Sequence, residues 1–215
     1  MMRTHALVVL LSLATIAVAA QNPPAQQTPP QTPTAGTAAP GGGQRGGGGR
    51  GRGAQIMTLA SPGWTDGATI PMKFTQASDE VSPALTWSNV PANITSFVVI
   101  FHDLDAATGN GLDDFLHWMV WNIPGTATGL PEAVPQGPQL PSGERQISAT
   151  GPYYRGPAAP ASGAPHHYVF EVFALDTTID VPAVGASPAE TRAAVVAAMA
   201  THVRGKGVLT GLYKR

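Results

Sequence analysis

Two short stretches constrain this chain more than anything else in it. Phe97-Val98-Val99-Ile100-Phe101 and Val169–Phe173 are apolar at nearly every position. A strand with one wet face alternates apolar and polar residues, so such runs belong to strands covered on both faces. That favours a two-layer or helix-covered sheet over an exposed single one. The other apolar runs are also short, and Pro, Gly, Asn and Asp separate them in a strand-and-turn pattern. Candidate strands are Gln55–Ala60, Thr69–Phe74, Leu85–Trp87, Thr95–Asp103, Leu116–Ile123, Gln146–Thr150, His167–Asp176 and Val208–Tyr213. One helix is signalled, over about 188–203. Ser187-Pro188-Ala189-Glu190 is a capping box with Pro at the first helical position. Val196, Met199, Ala200 and Val203 follow at helical spacing, and Gly205 is placed to end the helix. The class is mainly β with one C-terminal helix.

Composition divides the chain into three zones. Residues 1–20 read as a signal peptide: Arg3, the apolar run Ala6–Val18, then small residues through Ala20. The run is about 13 residues, short of the roughly 20 that span a bilayer, so cleavage after Ala19 or Ala20 is expected rather than a stable membrane span. Residues 21–54 are rich in Pro, Gln and Thr, then in Gly with Arg45, Arg50 and Arg52. No large apolar side chain occurs there to offset the entropy of ordering, so a disordered linker is expected. Residues 55–215 form the domain, with eight basic against thirteen acidic side chains, a net charge of −5. That sign excludes binding nucleic acid by neutralising phosphates. The chain has no cysteine, which removes disulfides, thiolate metal sites and cysteine nucleophiles.

Three places carry groups capable of chemistry. Asp103 and Asp105 stand where an apolar strand runs into a loop, and they point to one face if the strand persists through both. The competing reading is a solvated strand end with an Asx turn. His117 opens the strand His-Trp-Met-Val-Trp, where a histidine is either a ligand-facing group or a satisfied core residue. Gly156-Pro157 begins a Pro/Gly loop that leads to His166-His167-Tyr168 at the start of a buried strand. Rigid loops on a scaffold are where binding residues gather, although a plain structural turn with Tyr168 in the core fits the same pattern.

Taken in order, these motifs resemble the phosphatidylethanolamine-binding protein family, in its bacterial Raf-kinase-inhibitor-like branch. Leu85-Thr86-Trp87 with Val90-Pro91, and the ending Gly205–Tyr213, are similar to that branch as well. The resemblance implies a β-sandwich of two antiparallel sheets with peripheral helices. It also implies a pocket for small anions and phosphate-bearing headgroups, with Asp103, Asp105, His117, His166 and Tyr168 as ligand-binding residues and Gly156-Pro157 as a wall. Leu104 and Ala107 replace the two prolines of the family's first motif, and His167 stands where Arg is usual. Losing that Arg weakens the case for a tightly held phosphate.

The expected function is therefore an exported, non-enzymatic binding protein for a small anionic or zwitterionic ligand of the phosphoethanolamine type. The alternative is a protein-interaction module that inhibits a protease or other envelope or extracellular enzyme. A metal-assisted hydrolase built on the same histidines and aspartates ranks below both: neither His-Glu-x-x-His nor Gly-x-Ser-x-Gly occurs. No catalytic residue, metal or cofactor is assigned, and the residues leave the oligomeric state open.

Overall fold

The computed structural model describes residues 53–215. The segment read as a signal peptide and almost all of the linker lie outside the described residues. Within them the chain forms β1 (Gln55–Ile56), β2 (Thr58–Ala60), β3 (Leu85–Ser88), β4 (Ser96–Thr108), β5 (Asp113–Pro124), β6 (Gly129–Leu130), β7 (Arg145–Ile147), β8 (His166–Leu175), α1 (Pro188–Met199) and β9 (Val203–Tyr213). The large sheet has the order β1-β9-β8-β4-β5-β7, and the small one β2-β3-β6. Neighbouring strands are antiparallel except at the edge, where β1 runs parallel to β9.

The two fully apolar runs are β4 and β8, side by side at the centre of the large sheet. Alternation sends Phe97, Val99 and Phe101 into the space between the sheets, with Trp118 and Phe170, against Leu59, Leu85 and Trp87. Val98 and Ile100 point the other way, beside Met119 and Trp121, and are covered by Val195 and Met199 of α1. Both faces are dry, as the sequence requires. The helix starts as its capping box dictates: Ser187 Oγ accepts from the Glu190 amide and the Glu190 carboxylate accepts from the Ser187 amide. Such a cap stabilises a helix start by about 1 kcal/mol.

Three expectations need correction. Thr69–Phe74 is not a strand: Thr69 makes one bridge to Leu212, and Met72–Phe74 is a 3-10 turn entered through Pro71. Proline has no amide to donate to a ladder, so pairing stops there. Gln55–Ala60 is two strands, because the chain crosses between sheets at Met57. The helix ends at Met199 instead of Val203, and its buried stripe is Thr191, Val195 and Met199. Thr201 turns the chain at φ 69° and Val203 is taken by β9, where it pairs with Leu175. Gly205 is therefore a strand residue, and close packing requires it: a Cβ there would lie 2.8 Å from Met57 Sδ and 2.9 Å from Pro91 Cδ.

Candidate functional site

The β4–β8 ladder ends at the pair Asp103–Tyr168, two positions beyond Phe101–Phe170, so both side chains continue the inter-sheet face. On the other side of β4 the register skips a residue: Phe101 pairs with Trp118 but His102 pairs with Leu116. His117 is the extra residue of this β-bulge, a device that re-aims a side chain. Its ring consequently packs 5.3 Å from Phe101, 4.9 Å from Phe115 and 5.2 Å from Tyr168, centroid to centroid. Asp103, His117, His166 and Tyr168 thus come together from three adjacent strands.

Each of the four has a defined partner. His117 is 4% exposed, and its Nδ1 lies 2.8 Å from the Arg155 carbonyl while the Arg155 amide donates to the His117 carbonyl at 3.0 Å. A carbonyl only accepts, so Nδ1 carries the proton and neutral His117 presents a lone pair at Nε2. That nitrogen has no hydrogen-bond partner among the described residues and is not among the buried orphaned atoms, so it reaches accessible space. Burial, and then the nearby Arg155 charge, hold the His117 pKa below the usual histidine value, with the Arg155 carbonyl, Asp103 and the Gly156 carbonyl opposing. Asp103 is 3% exposed: Oδ1 accepts the amides of Asp105 at 2.9 Å and Ala106 at 3.1 Å, and Oδ2 receives His166 Nδ1 at 2.9 Å. Tyr168 accepts the amides of Ala159 at 3.0 Å and Ala158 at 3.3 Å on its hydroxyl. Burial and the Asp103 carboxylate push its pKa up, so it stays a phenol.

Asp103 therefore forms an Asx turn, but a buried one. The turn ends the regular alternation that would have put Asp105 beside it. Asp105 instead accepts the His167 amide at 2.6 Å and His167 Nδ1 at 2.9 Å, on an exposed part of the surface. The His167 amide bond, helped by the His167 ring hydrogen bond and the His167 and His166 charges, lowers its pKa against the cost of desolvation. Asp105 is a rim residue rather than a member of the buried cluster.

Gly156 and Pro157 form a packed wall. The Gly156 amide donates to Glu80 at 3.0 Å, and the Gly156 and Pro157 carbonyls accept from Gln76. A Cβ at Gly156 would stand 2.5 Å from the Phe74 carbonyl oxygen, so only glycine fits. Glu80 and Arg155 are site residues that sequence reasoning missed. Glu80 sits at φ 54°, rare for a side-chain-bearing residue, and holds the Arg155 guanidinium at 3.2 Å. Nothing in the spacing of Glu80 and Arg155, 75 residues apart, announces the pair. Among the described residues no group of three or more His, Asp or Glu side chains is arranged to hold a metal ion.

On the opposite face of the sheet, His102 Nδ1 and the guanidinium of Arg192 on α1 both hold Asp114 of β5. Beside them, between α1 and the β4–β5 hairpin tip, lies a cleft of about 680 Å³ walled by Leu112, Phe115, Ala189 and Val196.

A two-sheet β-sandwich that gathers an aspartate, two histidines and a tyrosine at its strand ends is a ligand-binding fold. Residues 60–214 match the family described as phosphatidylethanolamine-binding protein. A UPF0098 protein of Methanothermobacter thermautotrophicus is 37% identical over 161 residues, covering 74% of this chain and 99% of the relative. The UPF0098 protein YbhB of Escherichia coli is 40% identical over 130 residues, covering 56% and 78%. The crystal structure of Escherichia coli YbcL, described as a new member of the mammalian PEBP family, superposes with a TM-score of 0.62 at 27% identity, covering 74% of this chain and 98% of YbcL. The chain belongs to the phosphatidylethanolamine-binding protein family, as its motifs suggested.

Proposed function

We propose that the protein is an exported, non-catalytic binding protein whose Asp103–His117–His166–Tyr168 cluster takes a small phosphate-bearing ligand of the phosphoethanolamine type. The observation that carries this reading is His117: buried, fixed in tautomer and orientation by Arg155, yet with Nε2 unsatisfied and reaching accessible space. A histidine that merely filled the core would have both nitrogens satisfied or the free one sealed in. Asp103 already accepts three hydrogen-bond donors, so the ammonium end of a zwitterion is left to Asp105 at the rim.

Isothermal titration with phosphoethanolamine tests this. The His117→Ala variant is expected to bind it about 1.5–3 kcal/mol more weakly, the scale of a charge-assisted hydrogen bond, with an unchanged circular dichroism spectrum. An unfolded variant together with a wild type that binds no anion at any pH would return His117 to the core. Its lowered pKa has a sign that can be read in the unliganded protein. The unfolded chain binds the proton more readily, so stability from His117 is full above about pH 6.5 and declines as pH falls below it.

Export rests on the first 20 residues. The mature chain is expected to begin at Ala20 or Gln21, and N-terminal sequencing that finds Met1 retained in a membrane fraction would contradict it. No helix among the described residues is long and apolar enough to cross a membrane. A protein-inhibitory role is the second reading, favoured by Leu112 at 90% and Leu104 at 54% exposure on the β4–β5 hairpin. Loss of inhibition of an envelope protease on Leu112→Ser would support it.

A further inference from the structure

We propose that this site takes an anion only together with a proton, which settles on Nε2 of His117, so that capture of the ligand is a proton-coupled event. The inference rests on the anion-binding reading above and follows from where the backbone amides and ring N–H groups nearest the cluster already point, the Tyr168 phenol lying against Asp103 as well. The Gly156 amide is given to Glu80, and the Ala158 and Ala159 amides to the Tyr168 oxygen. The Asp105 and Ala106 amides are given to Asp103, and the His166 Nδ1 proton also lies on Asp103. His117 Nδ1–H is given to the Arg155 carbonyl. The Arg155 guanidinium, a permanent cation beside His117, is paired through Nη1 with Glu80. The Gly156, Ala158 and Ala159 amides, the loop amides nearest the cluster, are thus already engaged.

The charged and titratable groups around His117 are Asp103 from β4, His166 and Tyr168 from β8, Tyr154 and Arg155 from the loop after β7, and Glu80 from the loop before β3. With the imidazole neutral, an arriving anion meets a lone pair on His117 and the negative charge of Asp103. One proton on Nε2 reverses this: it turns the acceptor into a charge-assisted donor without moving any other bond. The neighbouring His167 imidazole is engaged with Asp105 at the rim. The proton is taken from solvent, and no bond other than N–H is made.

Calorimetry on the wild-type protein, in two buffers of different ionisation enthalpy between pH 6 and 8, counts the proton directly. Three probes are used: sulfate, inorganic phosphate and phosphoethanolamine. Sulfate brings no proton of its own, so it is expected to draw close to one proton onto the protein near neutral pH. Its affinity is expected to fall roughly tenfold per pH unit above the His117 titration, the slope of a one-proton linkage. The His117→Gln variant offers an amide donor that does not titrate, and is expected to bind with neither the proton uptake nor the slope. Phosphoethanolamine bound more tightly than inorganic phosphate assigns the proton-coupled site to a headgroup, and equal binding assigns it to the free anion. Sulfate affinity flat from pH 6 to 8 with no buffer dependence overturns the inference and leaves the binding reading standing. Proton uptake that persists in His117→Gln overturns it as well. Failure of all three anions to bind at any pH overturns both.

Discussion

Replacing Phe101 by alanine is expected to destabilise the domain by about 3–5 kcal/mol, the cost of emptying a large aromatic site in a packed core. For a chain of this size that corresponds to a fall in melting temperature on the order of 10 °C or more. Phe101 is fully buried, stacks on Phe170 with centroids 3.8 Å apart, and lies 5.5 Å from Tyr154 in a parallel stack. It is also the floor beneath His117 and Tyr168. The same substitution is therefore expected to weaken ligand binding in whatever fraction stays folded. Phe101→Leu, which keeps most of the volume, is expected to lose far less stability. Equilibrium urea unfolding of both variants checks the ranking. Near-equal midpoints would show that the stacked rings contribute little.

Asp114→Ala is the second large effect, and it acts on the other face of the sheet. Burial by itself would raise the Asp114 pKa. Hydrogen bonds from His102 and Arg192, with the Arg192 and His102 charges, overcome that and hold the carboxyl well below the usual range. Removing the carboxylate leaves Arg192, about three-quarters buried, without its partner and unties α1 from β5. The expected loss is about 2–4 kcal/mol at pH 7, below the full cost for a deeply buried pair because both groups touch water. The pH dependence follows from the sign of the shift. A carboxyl depressed in the folded state contributes stability that is complete above its unfolded value near pH 3.9 and vanishes as pH falls further. Wild type and variant should thus converge in urea midpoint below pH 4 and stay apart from pH 5 upward. A gap that is the same at pH 3 and pH 7 would mean that Asp114 acts through packing alone.

The fold was legible because its strongest signals are local. Continuous apolar runs at 97–101 and 169–173 demanded cover on both faces, and the inter-sheet core and α1 supply it. Ser187 and Glu190 fixed the helix start through groups three residues apart. The helix end was misread because a strand competed for Val203, and ladder pairing with Leu175 is a long-range event that spacing does not show. The site divides in the same way. Asp103, His117, His166 and Tyr168 could be singled out, since each opens or closes an apolar strand. That His117 faces Tyr168 depends on a one-residue bulge opposite Phe101, which no periodicity encodes. Asp105 was grouped with Asp103 by alternation, and the Asx turn that Asp103 itself makes breaks that alternation. The Asp114–Arg192 tie joins residues 78 apart and was invisible for the same reason.

The central claim is that ligand is received at the strand-end cluster, and side-chain NMR tests it most directly. The imidazole resonances of His117 and His166 are followed at pH 6 while phosphoethanolamine is added to the full protein. The expected result is a saturable shift of both rings, larger for His117, with the methyl signals of Leu112 and Val196 in the α1 cleft unmoved. Rings that do not respond, or shifts confined to Leu112 and Val196, would contradict it.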